Sequence, residues 1–255
     1  MEPFQKTLPI ALLERKLMSP FDSLTEMALD LNTIRTIAVP SKNPLREVAA
    51  DIVNYGYNLR YNGTEGGMTD IVNDEFDHLP TSQTFVAIGT YSDTPFALGT
   101  FRIITGLNLD VLQLFEMEEG QMWPHQRELV EPAEIGRFAI HPLLDSGLIS
   151  NINPHLAKLV IQRKLWEHGM EILKQKKVEL AYLILTMHIL EFVKSSGIHP
   201  EKLEVTLPGK SEYSERLREK WPKYWKPDAP TDEQPSLYVA PKVLQPMSDP
   251  SESSM

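Results

Sequence analysis

Three short stretches carry carboxylates and guanidinium groups in a pattern that could do chemistry. Glu134-Ile135-Gly136-Arg137-Phe138-Ala139-Ile140 holds a glutamate and an arginine three residues apart in a run with strand character. Upstream, Gly99-Thr100-Phe101-Arg102-Ile103-Ile104 sets a second arginine among apolar residues, and Asn73-Asp74-Glu75-Phe76-Asp77 spaces two aspartates at i and i+3. On a regular strand an odd separation puts Glu134 and Arg137 on opposite faces. Arginines inside apolar runs point to a charged constellation built into a sheet rather than scattered over a surface. A carboxylate within hydrogen-bond reach of a reacting group can take its proton, and a fixed cation can face developing negative charge. A purely structural ion-pair network uses the same residue types.

Composition narrows the chemistry. The 255 residues include no cysteine, which excludes a disulfide scaffold, a zinc-thiolate site and a cysteine nucleophile. His155, His168 and His188 show no ligand spacing, so no metal site is expected. The net charge of −10 argues against nucleic acid and anionic membranes as partners. No apolar run approaches the ~20 residues that span a bilayer. Met1 to Leu13 makes a poor signal peptide, so a cytoplasmic location is expected.

The chain is long enough for one full core. We expect an N-terminal helical extension over 1–33, broken near Ser19-Pro20, a main domain over 34–244, and a disordered Ser/Pro-rich tail over 245–255. Ile34 to Val39 reads as a strand buried on both faces. Asn43-Pro44 reads as a helix start, with Asn as N-cap and Pro at the first helical position, for a helix reaching about Arg60. Asn62 to Thr69 reads as a glycine-rich loop. Thr84 to Thr90 and Ala97 to Ile104 read as a hairpin around Ser92-Asp93-Thr94-Pro95. Val111 to Phe115 reads as a further strand, Glu118 to Glu131 as irregular with Trp123 as an anchor, and Ala133 to Ile140 as a strand. Asn153-Pro154 repeats the helix-start signal, and Leu156, Leu159, Val160, Trp166, Met170 and Leu173 follow at helical spacing. Val178 to Thr186 is a strand, Met187 to Ser196 a helix ended by Gly197, Leu203 to Leu207 a strand, Ser211 to Tyr224 an exposed helix, and Leu237 to Val243 a last strand. The order predicts an α/β (α+β) fold, a mixed central sheet with helices on both faces.

With those elements in place, the three charged stretches resemble, in order and spacing, the acyl-homoserine-lactone synthases and the related N-acyl amino acid synthases of the GNAT superfamily of N-acyltransferases. The resemblance spans about residues 34–207. It implies transfer of a long-chain acyl group from a phosphopantetheine arm to an amine. It further implies that Asp74, Asp77, Arg102 and Arg137 form an ion-paired cluster on the acceptor side. Glu134 is then the base that takes the amine proton, with His141 as the alternative. Phe101, Phe138 and Trp123 are expected to meet substrate, with Trp123 lining an acyl pocket. No tightly bound cofactor is implied, because the donor arrives on acyl carrier protein or coenzyme A.

Two departures shape the expectation. Val72 stands where the lactone synthases have an acid, and Gly136 where they have serine; both favour N-acyl amino acid synthesis, or another N-acylation, over lactone formation. The superfamily's pyrophosphate loop is missing from His141 to Asn151, which favours a carrier-protein donor. An anion site remains in principle at the Asn153-Pro154 helix start, through free N–H groups. Carrier proteins are acidic, and Lys158, Arg163, Lys164, Lys174, Lys176 and Lys177 could steer one; the same residues also suit a solvated helix end. Two other readings stand beside this one: a coenzyme A-dependent acetyltransferase of the same superfamily, and an inert module that binds a lipid or a partner. The acceptor amine, the acyl-chain length and the oligomeric state are not set by the sequence.

Overall fold

Asparagine caps start both long helices. In the computed structural model, which describes residues 29–40, 43, 45–57, 75–91, 94–145, 152–206 and 236–241, the Asn43 side chain accepts the Leu45 N–H at 2.9 Å. Asn153 likewise accepts the N–H groups of His155 at 2.9 Å and Leu156 at 3.4 Å. These bonds satisfy donors that a helix start otherwise leaves open. In chain order the elements are β1 (Arg35–Val39), α1 (Leu45–Tyr57), β2 (Ser82–Tyr91), β3 (Thr94–Thr105), α2 (Val111–Leu114), β4 (Glu116–Met117), α3 (Pro124–Glu128) and β5 (Pro132–Ile140). Then come α4 (Pro154–Gln175), β6 (Leu180–Leu185), α5 (Met187–Ser195), β7 (Glu201–Lys202), β8 (Val205–Thr206) and β9 (Ser236–Pro241).

Backbone pairing orders the strands β1-β2-β3-β5-β6-β9-β7, with β4 and β8 as a separate pair. The sheet is mixed: β5 and β6 are parallel, whereas β1–β2, β6–β9 and β7–β9 are antiparallel. This is the α/β class that the order of elements predicts. The chain forms two compact units, one from residues 1–103 and 136–169, the other from 104–135 and 170–255.

In the first unit β1 pairs with β2 from Arg35↔Ile88 to Val39↔Thr84. β1 is terminal in the strand order; Arg35 is exposed and only Val39 is fully buried, so the expectation of burial on both faces is corrected. The core gathers on Phe85 and Phe101, whose rings lie 5.1 Å apart. Helix α4 presses on them through Gly169. A Cβ there would fall 2.2 Å from Phe101 Cζ, so only glycine lets the ring rest against the helix.

In the second unit β5 pairs with β6 from Pro132↔Leu180 to Ile135↔Leu183. β6 pairs along its length with β9, and Leu180, Ala181, Tyr182 and Leu183 are buried, as an interior strand requires. α5 ends at Gly197, with φ of 85°, and the Ile198 N–H reaches back to Val193 O, a glycine-closed helix end.

Other elements differ from expectation. Val111–Leu114 is a helical turn, not a strand: the N–H groups of Leu114 and Phe115 reach Asp110 O and Val111 O at 3.1 Å. A short apolar run fits either period, and burial of Val111 with Leu114 is the i, i+3 pattern. Glu118 to Glu131 is not wholly irregular but contains α3, with Trp123 at its N-cap and Pro124 in its first turn. Leu203 to Leu207 is replaced by two-residue strands on either side of residues 203–204. The extension over 1–28, the loop at Asn62 to Thr69, the turn residues Ser92 and Asp93, the helix at Ser211 to Tyr224 and the 245–255 tail lie outside the described residues.

Candidate functional site

Asp77 sits in a single 3₁₀ turn, Glu75–His78, pinned by the fully buried Phe76. Its two carboxylate oxygens go to two different arginines. Oδ1 accepts from Arg102 Nη1 at 3.0 Å and Oδ2 from Arg137 Nη1 at 2.9 Å. Arg102 is 2% exposed, Arg137 13% and Asp77 14%. Charge-assisted bonds at such burial are strong.

Arg137 reaches Asp77 from an unusual backbone. Its φ is 55°, inside a strand and immediately after Gly136. A non-glycine residue there costs roughly 1 kcal/mol or more.

Beside the ion pairs lies a cleft of about 320 Å³, partly open to solvent, of which about 20 Å³ admits a water-sized group. Arg46, Ala49 and Val53 of α1 line one side; Asp77, Arg102 and Arg137 line another. Arg46 donates from Nη2 to Ser82 O at 2.8 Å. Its Nε and Nη1 are buried and meet no acceptor among the described residues. Burial lowers the Arg46 pKa; Asp77 opposes the shift and Arg102 adds to it. Sequence reasoning missed Arg46. A signal existed: it occupies the first turn of a helix, where the macrodipole disfavours a cation.

In the second unit Glu134 is 3% exposed, and its Oε2 accepts the Val111 N–H at 3.0 Å, at the start of α2. The same unit holds a polar pair that the sequence did not reveal. Tyr182 Oη accepts the His125 N–H at 3.2 Å and lies 2.8 Å from His125 Nδ1. Burial pushes the Tyr182 pKa up to about 12 and lowers that of His125. The Trp123 ring stands edge-on to Tyr182, 5.5 Å away.

The remaining expected residues scatter. Asp74 lies outside the described residues. Phe101 is fully buried, with Phe138 6.0 Å from it, a packing position beneath Arg102. His141 is buried beside the Phe96 ring, and burial brings its pKa down to about 4, far from the range that suits a base at neutral pH. On α4, Lys158, Arg163 and Lys164 do not share a face: at 3.6 residues per turn the last two stand roughly 140° and 240° around from the first. Lys158 pairs with Asp145, and Arg163 with Glu167 at 2.7 Å. Lys174 and Lys177 are exposed, and Lys176 donates to Thr105 Oγ1 at 3.2 Å. At the α4 start, the Asn153 side chain takes the N–H groups of His155 and Leu156, so those donors are not open to an anion. Among the described residues no group of three or more His, Asp or Glu could hold a metal ion, and no helix is long and apolar enough to cross a membrane.

Neither a protein-family profile nor a curated protein matches the sequence. Solved structures do resemble it. One is FeeM, an N-acyl amino acid synthase from uncultured soil microbes, at 14% identity over 82% of this chain and 92% of that one, with a TM-score of 0.44. A GNAT-family acetyltransferase from Staphylococcus aureus Mu50 is similar at 11% identity over 83% and 99%, TM-score 0.44. An acetyltransferase from Streptococcus agalactiae 2603 is similar at 14% identity over 82% and 98%, TM-score 0.44.

Proposed function

We propose that the chain is an N-acyltransferase that moves a long-chain acyl group from a phosphopantetheine thioester to the amine of an amino acid. The observation that carries this reading is Asp77 gripping Arg102 and Arg137 at once, with the buried Glu134 three residues before Arg137. Strand β5 thus bears both a candidate base and half of the cationic cluster. A merely structural network has no need for the strained backbone at Arg137 or for unmet donors on Arg46.

In the reaction, the acceptor nitrogen attacks the thioester carbonyl carbon, forming a C–N bond. Glu134 takes the proton that the nitrogen loses, directly or through one water. The carbonyl oxygen gains charge and is stabilised by donors that face it. Collapse breaks the C–S bond, and the departing thiolate takes a proton to leave as the free thiol. No covalent enzyme intermediate is needed, in keeping with a chain without cysteine. The arginine cleft holds the acceptor.

The test is incubation with long-chain acyl carrier protein, long-chain acyl-CoA and acetyl-CoA in turn, each with a panel of amino acids, read by mass spectrometry. The proposal expects an N-acyl amino acid from a long-chain donor. Acetylation alone makes the protein a small-acyl transferase, and no product from any donor removes the proposal. The two long-chain arms separate carrier protein from coenzyme A.

A further inference from the structure

Arg46 is the cation of the cleft that its neighbours do not account for. Asp77 spends one oxygen on Arg102 and the other on Arg137, while Arg46 makes one bond, to Ser82 O, and keeps Nε and Nη1 without an acceptor among the described residues. Buried donors left this way are costly and call for a partner. The position compounds the demand. Arg46 stands in the first turn of α1, a 13-residue helix, where the backbone dipoles already favour an anion.

We propose that Arg46 anchors the carboxylate of the acceptor, so that the cleft takes an α-amino acid rather than a simple amine. The inner space of about 20 Å³ admits a group about the size of one water, which one carboxylate oxygen matches. Ala49 and Val53, one and two helical turns beyond Arg46, line the same cleft and offer an apolar wall to an aliphatic side chain. Arg102 and Arg137 strengthen the positive potential without leaving Asp77. This inference deepens the N-acyltransferase reading and rests on it for the acceptor's fate, but the carboxylate site can be tested without turnover.

The experiment is calorimetric titration of the full chain with L-leucine, L-leucinamide and inorganic phosphate, repeated on Arg46→Gln and Arg46→Lys. The wild type is expected to bind L-leucine at least tenfold tighter than L-leucinamide and tighter than phosphate. Arg46→Gln should bring the acid-to-amide ratio to about one, and Arg46→Lys should restore part of it. Equal binding of acid and amide, binding of neither, tighter binding of phosphate, or an undiminished ratio in Arg46→Gln overturns the inference. If Arg46→Gln does not fold, the wild-type ratio and the Arg46→Lys value decide alone. The acylation panel then separates the two ideas. Carboxylate-selective binding without any acyl product leaves the anchor and removes the transferase. Acylation that ignores the carboxylate leaves the transferase and removes the anchor.

Discussion

In the first unit one aspartate serves the buried Arg102 and the half-buried Arg137, and a third arginine nearby keeps donors without an acceptor among the described residues. In the second, Glu134 accepts the Val111 N–H, and Tyr182 Oη meets both the backbone N–H and the Nδ1 of His125. Both units bury polar chemistry, yet only the first gathers more cationic than anionic side chains among its described cleft residues. Surplus buried charge is expensive unless a ligand brings the opposite sign. A ligand site in the first unit and a proton-accepting role for Glu134 in the second are therefore the two proposals to test.

The largest effect should come from taking the shared carboxylate away. Asp77→Ala takes one shared carboxylate from Arg102 and Arg137 and should cost about 3 kcal/mol, read as a lower urea midpoint at unchanged slope. A loss below ~1 kcal/mol would mean that the pairs are solvent-relaxed and that the first unit is no more strained than the second.

Acid probes the first unit differently. The His141 pKa lies at about 4 in the fold against about 6.5 in an unfolded chain. The native state favours the neutral ring, so the unfolded chain binds the extra proton first. This contribution is fully present above pH ~6.5, declines as pH falls toward 4, and amounts to about 3 kcal/mol at most. His141→Gln should flatten stability against pH in that window, and an unchanged slope would contradict the burial of the ring.

A smaller effect is expected in the second unit. Tyr182→Phe removes the partner of His125 N–H and Nδ1 and should cost about 1–2 kcal/mol in thermal or urea unfolding, with L-leucine affinity unchanged. A loss of affinity there would break the division of labour between the units.

Much of the frame was legible because local signals agreed with one another. The two asparagine caps and the glycine end of α5 each rest on a residue whose chemistry fixes a backbone choice. Val111–Leu114 was not legible, because four apolar residues carry no period long enough to separate strand from helix. The site was half legible. Asp77, Arg102 and Arg137 announce themselves as charges within apolar runs. Arg46 looks like any helical arginine until its donors are followed, and the left-handed φ of Arg137 has no residue-level signature beyond the preceding glycine. The Tyr182–His125 pair joins residues 57 apart in sequence and needs the register of β6 to appear.

The central claim is that Glu134 takes the proton of an attacking amine, and the most direct measurement is the rate of N-acyl amino acid formation by wild type and Glu134→Gln under one set of conditions. Glutamine keeps the acceptor for the Val111 N–H but cannot serve as the base. The account predicts a turnover at least ~100-fold lower, with a melting temperature within a few degrees of wild type. Equal turnover in the two proteins would contradict it.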